Sequence, residues 1–275
     1  MSSTILDKII AHKRQEVADR KTLVPTALLE RSIYFGSQPV SLRKYVQRPD
    51  LTGIIAEFKR KSPSKGTINA YAPVERTSIG YMQAGASALS ILTDSNFFGG
   101  KNEDLTTARK FNFCPILRKD FVVEEYQILE AKSIGADAIL LIAAVLSKEE
   151  VSQLAQFAHS LGLEVLLEVH DREELERTVT PHVDLIGVNN RNLHDFSVSL
   201  QTSIDLAQYI PNDFVKVSES GLSEAKSILE LREHGYEGFL IGETFMRHSR
   251  PEKACLAFVE ELKKLSAVNQ VSFSK

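Results

Sequence analysis

From residue 53 onward, short apolar runs alternate with longer stretches in which apolar and polar positions recur at helical spacing. This alternation is typical of parallel strands that are connected by crossover helices. The pattern predicts eight strands, at residues 53–56, 88–92, 115–117, 138–142, 164–167, 185–188, 215–217 and 238–241.

The spacing of these strands predicts how they assemble. Successive strands begin about 20 to 35 residues apart, which leaves room for one strand, one helix and two loops in each unit. A capping box at residues 147–150 marks one helix start, and Gly135, Gly162 and Gly235 stand where helices should end. Eight such units predict an α/β fold, a closed (βα)8 or TIM barrel.

The first fifty residues form a separate element. Leu6, Ile9, Ile10 and Val17 make a partial helical stripe that must lie against the barrel. We therefore expect an N-terminal helical extension at residues 1–50, packed on a catalytic barrel at residues 51–275, with one domain overall. Two interpretations stay open: a simple terminal helix, or a roof over the active site.

Composition narrows the classes of partner. The formal net charge is -3 with 25% charged residues, so the chain lacks the basic footprint of a nucleic-acid binder. The N-terminus is polar, and no apolar run approaches the roughly 20 residues that a membrane span needs. We expect a cytoplasmic protein with no nucleic-acid or membrane partner. The oligomeric state stays open, and a monomer is compatible with the sequence.

Neither cysteine nor histidine spacing indicates a metal site. Cys114 and Cys255 have no C-x-x-C neighbour, so we expect two buried structural thiols rather than a disulfide or a zinc site. The histidines lack paired ligand spacing and are expected on the surface or in packing contacts. They are His170, His182, His194 and His234.

Polar residues directly follow most of the predicted strands. Glu57 and Lys59 end the first strand, and their side chains share a face because they stand two residues apart. In a (βα)8 barrel the carboxyl ends of the strands meet at one mouth, where catalytic groups stand. The polar residues at these ends are Glu57, Lys59, Lys119, Glu168, Asn189, Arg191, Glu219, Ser220 and Glu243.

Two glycines indicate a phosphate site at the same mouth. Gly221 and Gly242 follow the seventh and eighth strands, where many barrels bind phosphate through loop N–H groups and a short helix. The sequence therefore predicts a small phosphorylated ligand.

Residues 57–66, which read EFKRKSPSKG, resemble the E-x-K-x-x-S-P-S-x-G segment of indole-3-glycerol-phosphate synthases. Further matches follow in family order at residues 117–121, 135–138, 167–170, 187–193, 218–221 and 240–243. The departures are mild: Leu222 and Phe245 stand where the family commonly has Ile and Leu. The resemblance implies a carboxy-lyase of tryptophan biosynthesis that needs no cofactor. Its substrate would be 1-(2-carboxyphenylamino)-1-deoxyribulose 5-phosphate, and its products indole-3-glycerol phosphate, carbon dioxide and water.

The resemblance also implies roles for individual residues. Lys119 would be the general acid of ring closure and Glu168 a general base in the later dehydration. Lys59 would bind the substrate carboxylate or protonate the departing hydroxyl, and the division between the two lysines stays open. The other implied site residues are Glu57, Glu219 and Asn189 beside the catalytic groups, Arg191, Ser220, Ser62 and Phe98 for the substrate, and Gly221, Gly242 and Glu243 for the phosphate, with Glu243 acting through its backbone N–H.

Three other functions are compatible with a phosphate-binding barrel. A phosphoribosylanthranilate isomerase would need a Cys near the end of the first strand and an Asp at the sixth, where this chain has Glu57, Lys59 and Asn189. An aldolase could use Lys119 as a Schiff-base nucleophile. A non-catalytic barrel could bind a phosphorylated ligand without turnover.

Overall fold

The computed structural model describes residues 4–193 and 195–272, so His194 lies outside it. All eight predicted strands are confirmed, and most run further at their carboxyl ends than the apolar runs indicate. They are β1 Ile54–Phe58, β2 Ala88–Leu92, β3 Ile116–Lys119, β4 Ala138–Ile142, β5 Glu164–Val169, β6 Leu185–Asn189, β7 Val215–Glu219 and β8 Tyr236–Ile241.

The strands form a closed barrel. Each strand pairs in parallel with its neighbours in the chain. The ring closes because β1 pairs with both β2 and β8, with Ile55 opposite Ala88 and Ile54 opposite Phe239. The predicted TIM barrel is confirmed, and all eight carboxyl ends therefore lie at one mouth.

Helices connect the strands on the outside, and three more precede the first strand. The helices are α1 Ile5–Leu23, α2 Thr26–Leu29, α3 Leu42–Val46, α4 Val74–Ala84, α5 Asn102–Phe111, α6 Glu125–Ile134, α7 Lys148–Ser160, α8 Arg172–Thr178, α9 Gln201–Leu206, α10 Ala225–Glu233, α11 Glu243–Met246 and α12 Pro251–Ser272. A short hairpin after β1, which the sequence did not predict, pairs Lys61–Ser62 with Gly66–Thr67.

The predicted helix ends are confirmed. The hydroxyl of Ser147 accepts a hydrogen bond from the backbone N–H of Glu150, and the Glu150 carboxylate accepts one from the N–H of Ser147, which makes the capping box. Gly135, Gly162 and Gly235 follow helices with φ angles of 92°, 78° and 83°. A side chain is strained in this left-handed region, so glycine suits these positions.

The N-terminal extension closes the end of the barrel opposite the mouth. Leu42 and Val46 of α3 pack in the inner core with Ile55, Ala88 and Val215, which stand near the amino ends of their strands. The carboxylate of Glu164, the first residue of β5, accepts hydrogen bonds from this segment. The helix α3 is therefore the floor of the barrel.

The other end of the extension reaches the mouth. The side chains of Ile5, Leu6 and Ile9 on α1 line the cavity that the strand ends surround. Between these two ends the chain packs along α6, where Nη2 of Arg20 lies 2.5 Å from Oε1 of Glu130.

Cys114 and Cys255 are both free and buried, as expected. Within the described ranges, no helix is long and apolar enough to cross a membrane.

We predict that Leu42→Ala destabilises the barrel by about 2–5 kcal/mol, because it leaves a cavity in the floor that the surrounding strands cannot fill. Leu42 is fully buried. Urea unfolding at equilibrium would measure the loss. Leu28→Ala on α2 is the control, since Leu28 is 55% exposed and its truncation should change the free energy of unfolding by about 0.5 kcal/mol or less. Equal losses in the two variants would show that α3 does not close the barrel.

Candidate active site

One cavity of about 520 Å³ occupies the mouth of the barrel. Every site residue that the sequence predicted lines it. These residues are Glu57, Lys59, Ser62, Phe98, Lys119, Glu168, Asn189, Arg191, Glu219, Ser220, Gly221, Gly242 and Glu243.

Lys119 lies at the centre of a cluster of charged side chains in the cavity. Its Nζ stands 2.7 Å from Oε2 of Glu168 and 3.1 Å from Oε2 of Glu219. The three residues lie at the carboxyl ends of β3, β5 and β7, where Lys119 and Glu219 are the last residues of their strands and Glu168 is the last but one. Side chains of such alternate strands enter the barrel at the same level. The Nδ2 of Asn189 donates a hydrogen bond to the other Glu168 oxygen at 3.2 Å, which fixes the plane of that carboxylate.

A second lysine stands beside this cluster. The Nζ of Lys59 lies 2.6 Å from Oε1 of Glu57, so these two side chains share a face as their spacing predicts. Gly242 leaves the space that the Glu57 carboxylate occupies, since a Cβ at this position would collide with it. The glycine at residue 242 therefore has a packing reason in addition to any role toward phosphate.

The pKa values of the central cluster follow from burial and charge. Burial alone lowers the pKa of Lys119, but Glu168, Glu219 and Glu57 together raise it above its ordinary value. Burial raises the pKa of Glu168, whereas the ammonium of Lys119 and the neighbouring His170 lower it to about 2. At neutral pH the site thus holds a charged ammonium against a charged carboxylate.

Glu219 differs from Glu168 although both contact Lys119. Burial, together with the charges of Glu168 and Glu57, raises the pKa of Glu219 to about 7, although Lys119 acts in the opposite direction. Its Oε1 is buried and has no hydrogen-bond partner among the described residues. Gly187 on the neighbouring strand makes room for this oxygen. Glu219 can therefore carry a proton in the pH range where enzymes act.

A third group of charges, Arg191 and Lys65 with Glu243 between them, also lines the cavity and is called its cationic end. The carboxylate of Glu243 lies 3.5 Å from Nη2 of Arg191 and 3.4 Å from Nζ of Lys65, so its charge is balanced on both sides. Ser220 and Gly221 are adjacent, both with φ in the left-handed region, at 68° and 77°. A Cβ on Gly221 would also lie 2.6 Å from Cγ1 of Val198, so packing alone favours glycine at this position, whether or not it contacts phosphate.

Several residues of the site escaped sequence reasoning. His170, expected on the surface or in packing, lies against the active site: its Nε2 stands 3.5 Å from Oε1 of Glu168 and its Nδ1 3.1 Å from Oε2 of Glu174. Its position directly after β5 was the available signal. The ring centroid of Phe121 lies 5.8 Å from that of Phe98, and both residues line the cavity. Among the described residues, no cluster of His, Cys, Asp or Glu could hold a metal ion.

Comparisons with known proteins agree with this geometry. The family described as indole-3-glycerol phosphate synthase matches residues 6–258. The indole-3-glycerol phosphate synthase of Bacteroides thetaiotaomicron is 48% identical over 258 residues, which cover 94% of this chain and 98% of that protein. The enzyme of the same name from Burkholderia vietnamiensis is 43% identical, over 92% and 97%.

The chain belongs to the indole-3-glycerol phosphate synthase family. This assignment makes it a decarboxylating lyase of tryptophan biosynthesis, as the motifs predict, and it does not support the isomerase alternative. Solved structures show the fold alone. A tryptophan synthase complex of Pyrococcus furiosus aligns with a TM-score of 0.56 at 16% identity, over 78% of this chain and 99% of that one. A structure described as native KDPGal aligns with a TM-score of 0.55 at 14% identity, over 83% and 96%.

For this member of the indole-3-glycerol phosphate synthase family we predict a pH-dependent gain of stability from Glu219→Gln. The folded protein holds the Glu219 proton up to a pKa of about 7, whereas an unfolded glutamate releases it near 4.5. The favourable contribution of the protonated group is therefore complete below pH 4.5 and is lost as the pH rises through 7. Gln cannot ionise and avoids this loss.

The measurement is the melting temperature of wild type and variant at pH 5 and pH 8. The difference, variant minus wild type, should increase toward pH 8 by about 2 °C or more. Glu260→Gln, at an exposed position on α12, is the control and should show the same difference at both pH values. A Glu219→Gln difference that is constant with pH would contradict the raised pKa.

Proposed function

We propose that this chain closes the indole ring of 1-(2-carboxyphenylamino)-1-deoxyribulose 5-phosphate, with Lys119 as the general acid. The observation that carries the proposal is the ammonium of Lys119, held between two carboxylates in the cavity at the mouth. In the first step the ring carbon that bears the carboxylate attacks the ketone carbon, and the carbonyl electron pair moves to oxygen. That oxygen takes a proton from Lys119.

The later steps suit the partners of Lys119. Loss of carbon dioxide returns its bonding electrons to the ring. The hydroxyl then leaves as water while a base removes a proton from the adjacent carbon. Glu168 is ionised and positioned by Asn189, so it can serve as that base. Once Lys119 has given up its proton, it no longer stabilises the charge of Glu168, which makes the carboxylate more basic.

Lys59 completes the proposed chemistry. Its ammonium is paired with Glu57 and can either bind the substrate carboxylate or protonate the departing hydroxyl. Glu57 and Glu219 help to keep Lys119 protonated, since a nearby carboxylate favours the charged form of an amine, and Glu57 balances the charge of Lys59. Protonated lysines are what both acid steps need.

We predict that Lys119→Met keeps the fold and slows turnover by roughly 10²- to 10⁴-fold, because a neutral side chain of similar length cannot donate the proton. The measurement is the fluorescence of indole-3-glycerol phosphate after the substrate is added. Lys226→Met, at an exposed position on α10, is the matched control and should keep full activity. Activity of Lys119→Met within tenfold of wild type would rule out this acid, and borohydride trapping of Lys119 would favour the aldolase alternative.

The phosphate should bind at the cationic end of the cavity, near Arg191 and Lys65. Gly221 and Gly242, with the backbone N–H of Glu243, would supply uncharged donors there. The two cations presently balance the carboxylate of Glu243. An arriving phosphate would share these cations with Glu243 and would be kept from its carboxylate by charge repulsion.

We predict that Arg191→Met weakens inhibition by inorganic phosphate about tenfold, the loss expected for a hydrogen bond between charged groups. Competition against substrate in steady-state kinetics gives the inhibition constant. The control is Arg172→Met on α8, whose guanidinium pairs with Glu176 away from the cavity. Unchanged phosphate inhibition in Arg191→Met would place the phosphate elsewhere. Bulky substitutions at Gly221 and Gly242 do not suit this purpose, because they would also disturb Val198 and Glu57.

We further propose that residues 1–50 serve the barrel at 51–275 as both roof and floor. Ile5, Leu6 and Ile9 cover the cavity, and Leu42 closes the opposite end. A cytoplasmic location and the absence of a nucleic-acid partner stay predictions.

A further inference from the structure

Lys13 is an unexpected member of the buried face of α1. It lies between Ile9 and Val17 on that face and is only 1% exposed. Its Nζ stands 2.9 Å from Oδ2 of Asp94, 3.1 Å from Oδ1 of Asp120 and 3.0 Å from Oε1 of Glu16. Burying an ammonium is costly unless it is paired, and here two of the three carboxylates are themselves buried.

The first of these carboxylates organises the loop after β2. Oδ1 of Asp94 accepts hydrogen bonds from the backbone N–H of Phe97 at 2.7 Å and of Phe98 at 3.1 Å. The ring of Phe97 also meets the ring of His12 on α1 edge to face, with centroids 5.6 Å apart. The direction in which this loop presents Phe98 therefore depends on where Asp94 is held.

The second carboxylate, that of Asp120, organises the loop after β3. Oδ1 of Asp120 accepts a hydrogen bond from the N–H of Phe121 at 2.8 Å, and Oδ2 accepts one from the hydroxyl of Thr93 at 2.5 Å. Arg118 pairs with the same carboxylate at 3.3 Å. Asp120 is thus shared between Lys13 on α1, Thr93 after β2 and Arg118, which directly precedes Lys119 on β3.

The two loops meet in the cavity. The ring centroids of Phe98 and Phe121 lie 5.8 Å apart, and the two ring planes meet at 41°. Both residues line the cavity with Leu6 and Ile9 of α1. A single ammonium therefore joins the three segments that form the apolar wall. Without it, Asp94 and Asp120 would lose the cation that they share, and Arg118 would still pair with Asp120 but would not link it to Asp94. The ionic link between the two loops that carry the rings would then be lost.

We propose that Lys13 is a positioning residue that sets the binding surface for the aromatic part of the substrate, by holding the Phe98 and Phe121 loops together beneath α1. The inference rests on the proposed function. It assigns Lys13 an effect on one end of the substrate only, because Arg191 and Glu243 at the phosphate end follow β6 and β8 and pair with each other at 3.5 Å.

The test compares the two ends of the substrate separately. Anthranilate (2-carboxyaniline) represents the aromatic end, and inorganic phosphate represents the other end. Lys13→Met should weaken inhibition by anthranilate about tenfold, which corresponds to about 1.4 kcal/mol of binding free energy. Inhibition by phosphate should stay within about twofold, and kcat/KM should fall mainly through KM.

Lys21→Met is the matched control, since Lys21 is on the same helix and forms an exposed ion pair with Glu124 at 3.1 Å. It should change neither inhibition constant. A general loss of structure would weaken both inhibitors in Lys13→Met equally, so the ratio of the two constants distinguishes positioning from stability. All constants are measured well below the melting temperature of each variant.

If Lys13→Met does not fold, Asp94→Asn decides the question. Asn keeps an acceptor for Phe97 and Phe98 but loses the charge that Lys13 binds, so the same ratio should shift in the same direction by a few-fold. An unchanged ratio in the folded variants, with normal turnover by wild type, would overturn the role of Lys13 alone. A wild type without turnover would overturn the proposed function and this inference with it.

Discussion

The mouth of this barrel depends on one constraint, the burial of Lys119 between two carboxylates. Three charges are removed from water at the ends of β3, β5 and β7, and they are tolerated because they pair at 2.7 and 3.1 Å. The constraint extends outward. Asn189 and His170 contact Glu168, while Gly187 leaves room for Glu219. Because two carboxylates share one ammonium, they become unequal: Glu168 stays ionised, and the pKa of Glu219 rises to about 7.

The same arrangement couples the acid and the base of the site. When Lys119 loses its proton, the positive charge that stabilises ionised Glu168 is lost as well, so Glu168 becomes more basic. The same cavity is also lined by the rings of Phe98 and Phe121 and by the cations of Arg191 and Lys65. A substrate with an aromatic carboxylate at one end and a phosphate at the other matches these surfaces.

The N-terminal extension serves the barrel twice. Through Leu42 it fills the inner core at the amino ends of the strands, and through Lys13 it is bound to Asp94 and Asp120 at the carboxyl ends. Of the two interpretations that the sequence left open, the contacts of Ile5, Leu6 and Ile9 favour the roof. The floor was not anticipated, because a five-residue helix with two apolar side chains has too weak a pattern to reveal which surface it covers.

The sequence by itself determined the strands, their number and the residues at their ends. Apolar runs of three to five residues report burial directly, and barrel closure then brings Glu57, Lys119, Glu168 and Glu219 to one mouth whatever their separation in the chain. The conformational demands at Gly135 and the capping box at Ser147 are equally local. For these features the sequence carried the information because neighbouring residues decide them.

Only the tertiary structure decided which charges are buried together. Lys13 interrupts an apolar stripe and would be expected at the surface, yet it is buried because carboxylates after β2 and β3 meet it. His170 looked like one histidine among several until β5 placed it against Glu168. The raised pKa of Glu219 likewise needs burial and the carboxylates of β5 and β1 beside it. The energy of a charged group depends on its solvent exposure and on its distance from every nearby charge. These distances are set only once the barrel has closed.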